Sequence, residues 1–150
     1  EQSQLPFTWV KASGGKIPDH AYYVNGKALG RGDLNDKWFH NMHTKGVHPG
    51  YVDEKGLIIE YGTKKILLPE YEVLVIVALE WVHITRTSEL STITPFIVGV
   101  EKENRCFLYF ARKDNKIGKA GKHLSDFCFV DGYEKHNCEI LVYKKKPLEN

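Results

Sequence analysis

The sequence predicts an all-β fold assembled from two diverged copies of one repeat, with a short helix inserted into the first copy. Three observations carry this reading. Short apolar runs of strand length lie between turn residues, two anchor motifs recur at similar spacing, and one segment has helical rather than strand periodicity.

The strand signals come first. Leu57-Ile58-Ile59-Glu60-Tyr61 and Phe127-Cys128-Phe129-Val130 are apolar runs bounded by turn residues, and residues 70–77, 107–111 and 140–143 read the same way. Asn25-Gly26 and Asp131-Gly132 are dipeptides that favour tight hairpin turns. A hairpin centred near Tyr133 places Cys128 opposite Cys138, as a contact or as a disulfide.

The repeat is faint but double-anchored. Trp9-Val10 recurs as Trp81-Val82, and Tyr71-Glu72-Val73-Leu74-Val75 recurs as Cys138-Glu139-Ile140-Leu141-Val142. Between the anchors each half carries an arginine followed by a glycine: Arg31 with Gly50, and Arg112 with Gly121. The longer first interval implies a ten-residue insertion. Residues 1–150 then read as a single domain, with a first repeat over 7–78 and a second over 79–144. Inside the insertion, Leu34, Trp38 and Met42 fall on one helical face, and Asp33 is placed to cap it. The expectation is a helix over 33–45 packed on the β framework.

Composition narrows the function. A chain of 150 residues buries a sizeable core without disulfides or metal. Lys and Arg number 21 against 19 Asp and Glu, a net charge of +2, so no strong field gathers nucleic acid or anionic membrane. The run Lys144-Lys145-Lys146 reads as a solvated tail. No apolar run reaches the roughly 20 residues of a membrane span. The first residue is Glu1, and the expectation is a matured, secreted chain, with a cytoplasmic one as the alternative. Three cysteines and no Cys-x-x-Cys pair point to buried thiols, or to one disulfide and one free thiol.

Other motifs carry less. His40, His43 and His48 lie close together but match no metal-ligand spacing, so solvated or core histidines are expected. Arg31-Gly32-Asp33 is an integrin-type tripeptide, better explained by the repeat arginine and the helix cap. Gly118-Lys119-Ala120-Gly121-Lys122-His123 is too short to cradle a phosphate and lacks the following Ser or Thr. No nucleophile setting or nucleotide-binding turn is present, so neither an enzyme nor a cofactor is expected.

One set of motifs resembles a known family. The opening Trp9-Val10-Lys11-Ala12-Ser13-Gly14-Gly15-Lys16-Ile17-Pro18 is followed by Pro49-Gly50, Tyr61-Gly62-Thr63-Lys64 and Tyr71-Glu72-Val73-Leu74. The second half keeps Trp81-Val82, Tyr109-Phe110-Ala111-Arg112, Gly121-Lys122 and Glu139-Ile140-Leu141. Over residues 7–144 this resembles the DM-nine repeat family, which includes invertebrate mannose-binding lectins and the N-terminal domain of natterin-like proteins. The resemblance implies two tandem antiparallel β modules related by a pseudo-twofold, with sugar held between them by an acidic residue and a lysine. Carried onto this sequence, the pair is Glu101 and Lys122. The first repeat has Tyr51 at the lysine position and Tyr23 or Val24 at the acidic one. The implied protein is a lectin-like recognition module for mannose-type glycans in innate recognition, with glycans as partners and a homodimer as an open alternative. A protein-recognition or structural module with decayed sugar sites is the rival reading.

Overall fold

The computed structural model describes residues 7–34, 38–39, 42–43, 46–61, 64–76, 78–101, 105–121, 128–130 and 133–144. The first half contributes β1 (Phe7–Ser13), β2 (Tyr23–Val24), β3 (Lys27–Asp33), β4 (Trp38–Phe39), β5 (Met42–His43), β6 (Val47–Asp53), β7 (Gly56–Tyr61), β8 (Lys64–Leu68) and β9 (Glu70–Ile76). The second contributes β10 (Leu79–Ile84), a 3₁₀ turn (Thr87–Thr92), β11 (Gly99–Glu101), β12 (Cys106–Lys113), β13 (Lys116–Ala120), β14 (Cys128–Val130), β15 (Tyr133–Lys135) and β16 (Cys138–Tyr143).

Two antiparallel sheets result, and they share one topology. The first runs β1-β9-β3-β6-β7-β8, with β2 on β3; the second runs β10-β16-β12-β13-β14-β15, with β11 on β12. The anchor motifs coincide in register. Trp9 faces Leu74 and Lys11 faces Glu72, just as Trp81 faces Leu141 and His83 faces Glu139. The all-β, two-module reading therefore holds.

Three details differ from the sequence reading. Gly30 pairs with Gly50, whereas its counterpart Ala111 pairs with Gly118, so Gly118 and not Gly121 is the repeat glycine. The local reason is steric. A Cβ on Gly50 would sit 2.3 Å from the Ile58 carbonyl oxygen, and one on Gly118 would sit 2.0 Å from that of Phe129. Second, no α-helix occurs among the described residues of the insertion. Trp38–Phe39 and Met42–His43 pair as a small antiparallel ladder, and Asp33 ends β3 rather than capping a helix. Leu34 is buried as expected, but it belongs to the first repeat's own core. Third, Cys128 pairs with Lys135 across the β14–β15 hairpin, not with Cys138. Both cysteines are free thiols buried in one cluster, and a hydrogen bond with Cys138, then burial, pushes the Cys128 thiol up.

The apolar interior has three parts. One cluster belongs to the first repeat, around Leu57, Ile59 and Val73, and one to the second, around Ile84, Ala111 and Ile140. The third is shared, and joins Leu29 and Leu74 to Phe96, Phe110 and Leu141. Aromatic exchange seals it. Trp9 stacks on Phe96 at 5.8 Å between centroids, while Trp81 stacks on Tyr22 at 6.5 Å and donates its indole N–H to the Tyr22 hydroxyl. Tyr22 and Phe96 are equivalents, since their amides donate to the carbonyls of Leu74 and Leu141 respectively. Each repeat thus inserts its tryptophan against the other's aromatic, the reciprocal contact that a twofold-like relation produces.

The repeat arginines hold these tryptophans. Arg31 lies 4.1 Å over the Trp9 ring and donates from Nε to Glu72 at 2.8 Å, and Arg112 lies 4.4 Å over Trp81 and donates to Glu139 at 2.9 Å. Arg31 alone also donates from Nη1 to the Val98 carbonyl of the other repeat, at 2.8 Å. Its guanidinium is therefore engaged inside the fold, and the Arg31-Gly32-Asp33 tripeptide is strand, not a presented loop.

Removing a stacked cation costs about 0.5–2 kcal/mol and removing a charge-assisted hydrogen bond about 1.5–3 kcal/mol. Arg31→Ala should therefore lower stability by about 2–4 kcal/mol in urea unfolding, and more than Arg112→Ala does. Arg31→Lys should recover little, because an ammonium cannot stack and reach both acceptors at once. Equal costs at the two arginines would show that the Val98 bond contributes nothing.

Candidate binding site between the repeats

Strand phase decides which polar side chains reach the junction of the repeats. In β7, Leu57 and Ile59 point into the first repeat's core, so Ile58 and Glu60 point the other way, toward the second repeat. In β13, Ile117 and Lys119 share a phase and are both buried. Leu29 faces Tyr51 and its equivalent Phe110 faces Lys119, so Tyr51 and Lys119 occupy matching positions in the two repeats. The register thus gives Lys119, not Lys122, the position that corresponds to Tyr51. A tight cavity of about 10 Å³, room for one water, is bounded by Tyr51, Glu60, Gly118 and Lys119.

Around Lys119 the junction is closed. Lys119 is 7% exposed and His48 is fully buried, with Lys119 Nζ 3.2 Å from His48 Nδ1 and 4.9 Å over the Tyr61 ring. A charged ammonium has only donors, so Nδ1 must accept and the imidazole carries its proton on Nε2. Burial pulls the Lys119 pKa down to about 8; the carboxylates of Glu101 and then Glu60 oppose that shift. Of the two sequence-predicted residues, Glu101 ends β11 opposite Cys106 and acts electrostatically on Lys119, while Lys122 lies outside the described residues. His48 is a core histidine; His40 lies outside the described residues. No group of three His, Cys, Asp or Glu side chains that could hold a metal occurs among the described residues. No helix among them is long and apolar enough to cross a membrane.

Around Tyr51 the junction is open. A cleft of about 260 Å³ is framed by two tight turns, one from each repeat. Asn25 (φ 50°) and Gly26 (φ 78°) turn β2 into β3, and Asp114 (φ 52°) and Asn115 (φ 64°) turn β12 into β13. Paired left-handed residues are what two-residue hairpins need, and Asn, Asp and Gly adopt them at least cost. Val24, Asn25 and Lys27 line the cleft from the first turn, and Asn115, Lys116 and Ile117 from the second. Tyr51, Glu60 and Lys65 complete the wall. Lys27 Nζ sits 4.7 Å over the Tyr51 ring, and the Lys65 ammonium acts electrostatically on the Tyr51 hydroxyl. Burial, opposed by Lys65, raises the Tyr51 pKa, so this hydroxyl is neutral at physiological pH.

Val24 and Tyr51, the positions that the resemblance gives to the first repeat's site, both line this open cleft, and residues 35–37, 40–41 and 44–45 of the insertion lie outside the described residues. Val47 of β6 packs on Gly99 of β11. Sequence reasoning missed Lys119, Glu60 and Lys65. The available signal was strand phase, since Glu60 and Lys119 alternate with inward apolar residues but fall on the face toward the other repeat.

The chain matches no protein-family model and no curated protein.

The buried lysine has a measurable signature. Unfolded Lys119 keeps its proton to about pH 10.5, the ordinary lysine value, whereas folded Lys119 releases it near 8. Between those values the unfolded chain binds more protons, so this residue's contribution to stability rises with pH. Below pH 8 both states are protonated and the full penalty, about 3 kcal/mol, is present. In urea unfolding, the stability of the native chain minus that of Lys119→Met should increase between pH 8 and 10.5 by an amount of that order. A difference independent of pH would mean that Lys119 is not buried as a cation.

Proposed function

We propose that this protein is a non-catalytic glycan-recognition module whose ligand lies in the cleft between its two repeats. The observation that carries the reading is the half-buried Tyr51 ring in that cleft, with Lys27 over its face, Lys65 at its hydroxyl, and Glu60 and two asparagines in reach. A sugar presents an apolar C–H face and a rim of hydroxyls, each both donor and acceptor. An aromatic ring takes the face; carboxylate, carboxamide and ammonium groups take the rim with directional and charge-assisted hydrogen bonds. The resemblance to DM-nine repeat lectins supports a site between the repeats and, within this reading, a mannose-type ligand and an extracellular setting.

A second reading, recognition of protein, draws on exposed apolar side chains. Tyr23 and Phe107 are about half exposed, and Ile17, Leu67 and Ile97 only slightly less so. The rival keeps the fold and gives the cleft no ligand.

A single shallow site implies weak binding, on the order of 1 mM, about −4 kcal/mol. Glycan-array screening followed by titration should find a ligand, and Tyr51→Ala should abolish its binding while the fold survives by circular dichroism. The double variant Glu101→Ala/Lys122→Ala, at the pair singled out by the resemblance, should retain binding if the open cleft is the site. Loss in that variant with retention in Tyr51→Ala would move the site to the Glu101 side. An array without any bound glycan would leave the protein-recognition reading in front.

A further inference from the structure

We propose that the cleft selects acidic saccharides, pyranosides bearing a carboxylate or sulfate, over neutral ones. This rests on the glycan-binding reading of the same cleft and specifies its ligand class. Among the described lining residues, three side chains are lysines, Lys27, Lys65 and Lys116, and one is a carboxylate, Glu60. These four side chains together carry +2.

Distance makes this charge effective. A sphere of 260 Å³ is about 8 Å across, no more than the screening length of about 8 Å at physiological ionic strength. The ammonium groups therefore repel one another across the cleft. Lys27 is held over the Tyr51 ring and cannot swing away without losing that contact, and Lys65 lines the same wall and acts electrostatically on the Tyr51 hydroxyl. The third comes from the opposing repeat, directly after the Asp114-Asn115 turn. A neutral sugar leaves that repulsion in place. An oxyanion on the ring relieves it and accepts charge-assisted hydrogen bonds from more than one ammonium. The sugar ring then lies against Tyr51, whose neutral hydroxyl adds no competing negative charge.

The test titrates the intact chain with methyl α-mannoside, methyl β-glucoside, methyl β-glucuronide, glucose 6-sulfate and inorganic sulfate, at low and high sodium chloride. At low salt the two acidic sugars should bind about tenfold tighter than the neutral ones, and the preference should shrink several-fold at high salt. Lys27→Gln and Lys116→Gln should each erase most of the preference. Glu60→Gln should strengthen acidic-sugar binding, since it removes the one carboxylate among the described lining residues. Circular dichroism confirms that these surface variants fold. Neutral and acidic sugars binding equally, with both lost in Tyr51→Ala, would overturn the acidic preference and leave glycan recognition standing. Inorganic sulfate binding as tightly as glucose 6-sulfate would reduce the cleft to an oxyanion site and overturn the saccharide inference. No binding of any sugar would remove the glycan reading itself.

Discussion

The stacking of a guanidinium between an indole face and a carboxylate, made once in each repeat, is the constraint on which the rest of the molecule depends. Arg31 fixes Trp9 against Glu72, and Arg112 fixes Trp81 against Glu139. Each tryptophan then projects from the first strand of its own sheet onto an aromatic of the other repeat. The arginine adds a second contact to the cross-repeat stack and so holds each indole in the orientation that reaches across the junction. Sheet order follows from the same contact. The arginine strand must lie beside the glutamate strand, and the glutamate strand beside the tryptophan strand, and β3-β9-β1 and β12-β16-β10 satisfy this in both halves.

That duplicated scaffold makes the asymmetry of its two junction positions informative. Tyr51 and Lys119 are equivalent in register, yet one lines an open cleft and the other is sealed in. The difference traces to the connections. Where the second repeat joins β12 to β13 with Asp114-Asn115, the first joins β3 to β6 through the insertion. The short turn leaves space above Tyr51. On the other side, His48 and Tyr61 close over Lys119 and strip it of water, at a cost in free energy that its partial attraction to Glu101 and Glu60 does not fully offset.

Much of this was legible in the sequence, and for identifiable reasons. The anchors around Trp9 and Glu72 and around Trp81 and Glu139 are spaced by strand pairing, which a linear repeat preserves, so the two-module β fold could be read directly. The glycine could not be, because Gly118 and Gly121 lie only three residues apart and the criterion that separates them is the approach of the Phe129 carbonyl from a neighbouring strand. The inserted helix failed for a related reason. Leu34, Trp38 and Met42 sit at helical spacing, but Leu34 is claimed by the first repeat's core directly after β3, and the segment beyond pairs as strands. As for the site, the equivalence of Tyr51 and Lys119 and the inward phase of Glu60 appear only when both sheets are laid side by side. A one-residue error in register moves every such side chain to the opposite face.

The open cleft and the central core are one structure seen from two sides. Val24 and Ile117 line the cleft and also belong to the shared cluster that holds the repeats together, and Tyr51 packs against that cluster. Anything that fills the cleft touches both repeats, so its binding free energy adds to the docking of one on the other rather than to either alone. The converse also holds. The geometry offered to a ligand is set by how tightly the reciprocal tryptophans draw the repeats together, not by mobile loops, because both flanking turns are two-residue hairpins with little freedom. The Tyr51 cleft draws its walls from both repeats, whereas Lys119, its equivalent in register, is buried.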